Sequence, residues 1–210
     1  MSSKCPNHDH KWRKFWRRAF KVGLVIFFIL LVIVLIVFAI LHPRKPTFVL
    51  QDATVYAFNV STYPPNLLTS TFQVTVLAHN PNDNIAIYYD TLDAYATYQG
   101  QQITLRSRLP PTYADDNTNQ VWSPFIYGNQ VPIAPYNAEI LTQAEAIGSV
   151  TVNIKIDGGL RWRVGAITTG SYNIHIQCPA YITFGGQSTG ISVGNNAVKY
   201  QLMQSCSVSV

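Results

Sequence analysis

The densest group of reactive side chains lies in NPNDNIAIYYD, Asn80 to Asp90. Amides, carboxylates and phenols this close together could bind a cation, hold a polar ligand or move a proton. Their spacing argues otherwise. NPND is a turn sequence, because Pro81 presets φ and Asn and Asp accept tight geometry. The residues after it alternate. Ile85, Ile87 and Tyr89 fall on one face of a strand, and Ala86, Tyr88 and Asp90 on the other. The polar groups are thus divided between a turn and two opposite faces. A calcium loop needs acids at alternate positions and a closing Glu, which Asp83, Asp90 and Asp93 do not supply. The expectation is a structural turn and strand, with Asn82 and Asp83 exposed at the tip.

Other catalytic patterns fail on context. GQSTG, Gly186 to Gly190, has the form of a nucleophile elbow, which needs a strand-turn-helix setting with an acid and a histidine later in the chain. No Asp, Glu or His follows Gly190, so the segment reads as a Gly-rich loop between strands. His79 and His175 sit on the polar alternation of their strands and are expected to face solvent. His8 and His10 flank Asp9 without further ligands. HExxH, CxxC, P-loop and GxGxxG patterns are absent. No catalytic residue, metal set or cofactor site is expected.

Elements that would position these residues divide the chain at residue 46. Residues 1–21 form a basic tail, with Lys4, Lys11, Arg13, Lys14, Arg17, Arg18 and Lys21 against one acid, Asp9. Residues 22–41, VGLVIFFILLVIVLIVFAIL, are 20 residues without a charge. At about 1.5 Å per residue they cover about 30 Å, the thickness of a bilayer core. A signal-peptide core is shorter, and no small-residue cleavage site follows. This reads as an uncleaved transmembrane helix. Positive residues stay on the cytoplasmic side, so the tail is expected in the cytoplasm and the C-terminal bulk outside the cell or in the secretory lumen. Residues 42–46 form a linker and 47–210 a domain. The formal charge of +5 comes from the tail and linker. The domain has six bases against nine acids, which gives nucleic acid no electrostatic footing.

Within the tail, Trp12, Phe15, Trp16 and Phe20 recur at helical spacing and form one stripe beside Arg13, Lys14, Arg17, Arg18 and Lys21. Such a helix suits the interface of an anionic inner leaflet; a plain positive cluster that sets topology has the same composition. Cys5 lies on the reducing side. Cys178 and Cys206 lie on the oxidising side, where thiols usually pair. Cys178 ends an alternating run and Cys206 lies in the last run. Adjacent strands would bring them into bonding range, the alternative being two buried thiols. Asn59-Val60-Ser61 is a glycosylation sequon on the same side, with Asn59 as acceptor.

Past Pro46 the hydrophobic period becomes two, as in TFQVTVLAHN, VTVNIKID and YNIHIQC. Turn signals (NPND, YQGQQ, IDGG, TTGS, FGGQS, VGNN) separate the runs. About eight short strands without a long helical stretch predict an all-β antiparallel sandwich behind one transmembrane helix. ILTQAEAIG could be one helical turn or a loop.

Several phrases occur together: PTFVLQDATVYAFNVS, PNLLTSTFQVTV, NPNDNIAIYYD, YATYQGQQITL, LPPTY, VWSPFIYG, VPIAPYNA, LRWRVG and KYQL with CSVSV. Over nearly the whole chain they resemble the plant NHL family, named for likeness to a disease-resistance protein and a harpin-induced protein. Its ectodomain is the late-embryogenesis-abundant type 2 domain. The family signature maps onto Asn80, Pro81, Asn82, Ile85, Ile87, Tyr88, Tyr89 and Asp90, with Ala86 where relatives often carry Gly. The loop Tyr113-Ala114-Asp115-Asp116 departs from the Tyr-Gln-Gly common there. The resemblance implies a fibronectin type III-like sandwich and a plasma-membrane protein of defence, hypersensitive and stress responses. It implies no catalysis. No cofactor is expected, and the expected partners are the lipid bilayer and unidentified proteins of immune or stress signalling, with a second copy of the chain as a further candidate. Two other readings fit the residues: a lipid-binding or transfer module, and a cell-wall glycan binder with Trp122 and Trp162 as stacking candidates, core packing being the competing role for each.

Overall fold

A computed structural model describes residues 7–40, 43–184, 188–193 and 197–210, except the side chains at 7–11, 14 and 36–40. Lys14's side chain, Leu41 and His42, Gly186 and Gln187 of GQSTG, and the GNN of VGNN lie outside the described residues. The chain forms two compact units, residues 1–42 and 43–210.

The first unit is one helix, α1 (Asn7–Ile40). It runs from the basic tail into the apolar stretch without a break at residue 21. Its 34 residues correspond to about 51 Å, well beyond the bilayer core. Phe15–Leu35 is the one stretch among the described residues long and apolar enough to cross a membrane. Its side chains from Val22 to Leu35 are exposed, as lipid contact requires.

The second unit is an antiparallel β-sandwich. In chain order its elements are β1 (Thr47–Val60), β2 (Leu67–His79), β3 (Ala86–Tyr98), β4 (Gln101–Gln102), β5 (Ser107–Leu109), β6 (Thr112–Ala114), β7 (Asn119–Trp122), β8 (Phe125–Pro132), α2 (Pro135–Ile147), β9 (Ser149–Val164), β10 (Ile167–Thr168), β11 (Tyr172–Thr183), β12 (Ile191–Val193), β13 (Ala197–Ser205) and β14 (Ser207–Ser209). The first sheet runs β12-β13-β1-β2-β7, with β8 also on β2. The second runs β14-β11-β9-β3-β4, with β5 and β6 on β3 and β10 on β9. The strands are more numerous than about eight because several runs break. Ser123 and Pro124 divide QVWSPFIYG into β7 and β8, both paired with β2. Cys206 divides the last run, so β13 lies in the first sheet and β14 in the second.

The period-two residues of both sheets face inward. Leu50, Phe72, Val74, Val76, Ile87, Ile154, Ile156, Ile174 and Ile176 are buried, each contributing about 1.5–3 kcal/mol relative to exposure. IDGG is not a turn. Gly158 and Gly159 lie within β9, where β3 bulges between Tyr89 and Thr91. A Cβ at Gly158 would sit 1.8 Å from the Thr91 carbonyl oxygen, so glycine permits close backbone approach there. ILTQAEAIG is most of a 13-residue helix. Pro135 stands at its start, Gly148 ends it in the left-handed region at φ 96°, and Ala138 and Leu141 are buried.

Candidate functional site

The family signature folds into two distinct devices. The first is a buried amide knot, and it corrects the expectation that Asn82 is exposed. Asn80 and Asn82 are 1% and 3% exposed. Asn80 Nδ2 donates to the carbonyls of Ile85 at 2.8 Å and Asp115 at 2.9 Å. Asn82 Oδ1 accepts from the Arg44 backbone N–H at 2.6 Å, and its Nδ2 donates to the Arg44 carbonyl at 2.8 Å and to Asn80 Oδ1 at 2.8 Å. The Asn117 N–H donates to the Asn82 carbonyl at 3.1 Å. The turn therefore ties the entry segment at Arg44 to the loop between β6 and β7. Only Asp83 and Asn84 at its tip are exposed.

The second device is built by Tyr88, Tyr89 and Asp90 on β3, which alternate between core and surface. Tyr89 is 1% exposed and meets the rings of Phe48 and Trp122 edge-on, at 6.2 and 5.3 Å. Its hydroxyl finds no hydrogen-bond partner among the described residues, and burial pushes its pKa well above the ordinary tyrosine value. Ile85 and Ile87 join the same core. Tyr88 and Asp90 face outward against β9, whose LRWR segment alternates in step: Trp162 inward, Arg161 and Arg163 outward. Arg161 forms a fork on Asp90, with Nε at 2.7 Å and a terminal nitrogen at 2.6 Å. The bonds to Asp90 hold the Arg161 pKa above its usual value. Arg163 donates to the Tyr88 hydroxyl at 2.8 Å, and Tyr113 lies against the Tyr88 ring with centroids 4.7 Å apart. A shallow cleft of about 420 Å³ opens beside Tyr113, Asp115, Asp116 and Arg163.

The outer face of the second sheet continues this pattern. Asp93 on β3 lies opposite Asp157 on β9, a like-charge pair that would be destabilising alone. Both are neutralised from neighbouring elements. Arg108 on β5 donates to Asp93 at 3.1 and 3.4 Å. Asp157 accepts from Tyr95 at 2.7 Å, His175 at 2.9 Å and Arg106 at 3.2 Å. Partial burial pushes the Asp157 carboxyl up, but the bonds from His175, Tyr95 and Arg106 outweigh it and hold the group below its ordinary range. Burial and Asp157 together push Tyr95 up. A second cleft, of about 430 Å³, is lined by Tyr95, Lys155, Asp157, His175, Gln177 and Ser207 among others. Asp90, Asp93 and Asp157 are each engaged by donors. This face presents a fixed pattern of charge and hydrogen bonding, suited to recognition.

Cys178 and Cys206 are bonded, with Cα atoms 4.3 Å apart. Cys206 occupies the crossing between β13 and β14, so the bond ties the two sheets where the chain changes layer; it is not within the last strand. Asn59 is exposed on β1. His175 is exposed, while His79 is half-buried with Nδ1 at 2.8 Å from Asn119 Oδ1. Trp122 and Trp162 are each 5% exposed, so neither can stack on a sugar. Trp12, Arg13, Phe15, Trp16, Arg17, Arg18, Phe20 and Lys21 are exposed on α1, with Trp12 and Trp16 edge-to-face at 6.0 Å. The outward charges at Arg106, Arg108 and Asp157 were not legible as a site. The one available signal was the alternation of LRWR in step with YYD.

No family profile matches the chain. It is 53% identical to NDR1/HIN1-like protein 1 of Arabidopsis thaliana over 206 residues, 98% of this chain and 99% of that protein. It is 53% identical to NDR1/HIN1-like protein 12 over 90% of each chain, and 36% identical to NDR1/HIN1-like protein 26 over 87% of this chain and 83% of that one, both from the same plant. A solved Archaeoglobus fulgidus protein overlaps 68% of the chain and 98% of its own at 12% identity, with a TM-score of 0.33, too distant to carry an argument. At these identities and lengths, this chain belongs to the NDR1/HIN1-like family.

Proposed function

We propose that this protein is a non-enzymatic, membrane-anchored recognition module of plant defence and stress responses. It is held at the plasma membrane with the basic tail in the cytoplasm and the sandwich outside the cell. The supporting observation is the plan of the chain, an apolar helix flanked by basic residues on its N-terminal side and followed by a rigid sandwich, in a chain matched end to end by NDR1/HIN1-like protein 1. The helix anchors the protein, and the basic tail binds the anionic inner leaflet. The outer face of the second sheet engages a protein partner through the Tyr88–Arg163 and Asp157–His175 groups. The inward side chains described above are buried against one another, and no observation favours a lipid-filled groove between the sheets.

The test is expression in leaf tissue, scored for defence output and for surface abundance. Charge reversal at Arg163 and Lys155, both outward-facing, is expected to reduce output at unchanged surface abundance. Output that falls only in proportion to lost surface protein would show the face to be scaffold.

A further inference from the structure

The outer face of the first sheet carries an aromatic surface unconnected with the family signature. Phe125 and Tyr127 on β8 are 51% and 54% exposed, and Tyr56 on β1 is 41% exposed. The Tyr56 and Phe125 rings lie 5.6 Å apart, and the Tyr56 hydroxyl donates to Gln73 Oε1 at 3.1 Å. Three large rings left in water are an expense for a folded domain unless something covers them.

The register identifies what stands beside them. Asn59 lies opposite Thr69, and Ala57 opposite Thr71. Thr71 in turn lies opposite Tyr127, and Gln73 opposite Phe125. Leu68, Ser70, Phe72 and Ile126, the intervening residues, are buried inward. Alternation therefore puts Asn59, Thr69, Thr71, Phe125 and Tyr127 on one face. Asn59 and Tyr127 are two strands and two residues apart, about 12 Å between Cα atoms at ordinary strand spacings. The floor between them consists of Ala57, Thr69 and Thr71, side chains short enough for a sugar ring to lie across. The surroundings are hydroxyls and an amide, and the rings are flat apolar partners for the C–H faces of sugars. Asn59 is exposed and is the acceptor of the Asn59-Val60-Ser61 sequon.

We propose that an N-linked glycan on Asn59 folds back along the outer face of the first sheet and docks its innermost sugars on Tyr127 and Phe125. The inference rests on the outside placement of the sandwich proposed above. The glycan then covers the exposed rings and leaves the charged face of the second sheet as the uncovered recognition surface. A docked sugar chain also keeps the outer face of the first sheet from self-association.

The full chain, expressed in cells that make high-mannose glycans and purified in detergent, tests this. An endoglycosidase that cuts between the two innermost sugars should cleave the native protein slowly. Phe125→Ser with Tyr127→Ser should raise the native cleavage rate about tenfold, the effect of a docking equilibrium worth about 1.4 kcal/mol, while leaving the rate in denaturant unchanged. Ser61→Ala removes the sequon and keeps the Asn59 side chain. It should lower Tm by about 3–6 °C in the wild-type background and leave Tm unchanged in the double variant. Equal native cleavage rates with the glycan present, or Tm effects that simply add, overturn the docking while leaving the outside placement standing. An unmodified Asn59 in the mature protein overturns the docking and counts against the outside placement as well.

Discussion

Replacing Asn82 with alanine removes a side chain that makes three hydrogen bonds, two of them to the backbone of Arg44. Each such bond contributes about 0.5–1.5 kcal/mol net, and a buried partner left unsatisfied costs about 1–3 kcal/mol. Arg44 is exposed, so water can replace the lost bonds on its side. Asn80 Oδ1 keeps its bond from the Asn82 N–H at 3.2 Å. The expected loss for Asn82→Ala is therefore about 2–3 kcal/mol, a fall in Tm of about 5–10 °C. Asp83 is exposed and takes part in none of these bonds, so Asp83→Ala should fall within about 0.5 kcal/mol of wild type. Thermal unfolding of the full chain in detergent, with amide exchange at Arg44 as the local readout, distinguishes the two. Asn82→Ala should also release protection at the Arg44 amide. Equal Tm values for the two variants, with Arg44 protection retained, would refute the knot.

Three further outcomes follow from the same structure. Replacing Cys178 and Cys206 together with alanine opens a loop of 28 residues' separation and should cost about 3–4 kcal/mol through the unfolded chain; recovery of both cysteines alkylated without reduction would contradict the bond. Asp157 has a folded pKa below its ordinary value, so its contribution to stability is complete above the unfolded value of about 3.9 and is lost as pH falls through the folded one. Asp157→Asn should be less stable at neutral pH and lose less stability on acidification below about pH 4, and a parallel acid limb would contradict this. Changing Arg13, Lys14, Arg17 and Arg18 to Gln removes about 1 kcal/mol of leaflet attraction per base and should disturb membrane orientation or distribution, seen by microscopy, while the sandwich melts as before.

The sandwich was legible because period-two burial is a local property of each strand. YNIHIQC and VTVNIKID show their inward residues without reference to any partner. What escaped depends on contacts between distant segments. Gly158 looks like a turn residue by composition, yet serves a close approach to Thr91 on another strand. Asn82 looks like a surface turn residue, because nothing local says that Arg44, 38 positions earlier, returns to meet it. The helix α2 escaped for want of a side-chain cap or basic last turn. Trp122 and Trp162 could be weighed only as stacking candidates against core residues, and both are core, while Tyr56, Phe125 and Tyr127 are ordinary strand residues whose shared exposed face only sheet order reveals. Within the candidate site, Tyr88 and Asp90 were separable from Tyr89 by alternation. Their partners Arg161 and Arg163, more than 70 positions away, required the β3–β9 register.

The proposed recognition role requires an anchored sandwich displayed outside the cell. Protease treatment of intact cells carrying a tag after Val210 tests that directly. Disappearance of the tag, with an N-terminal tag retained, is the predicted result. A C-terminal tag fully protected until the membrane is broken would contradict it.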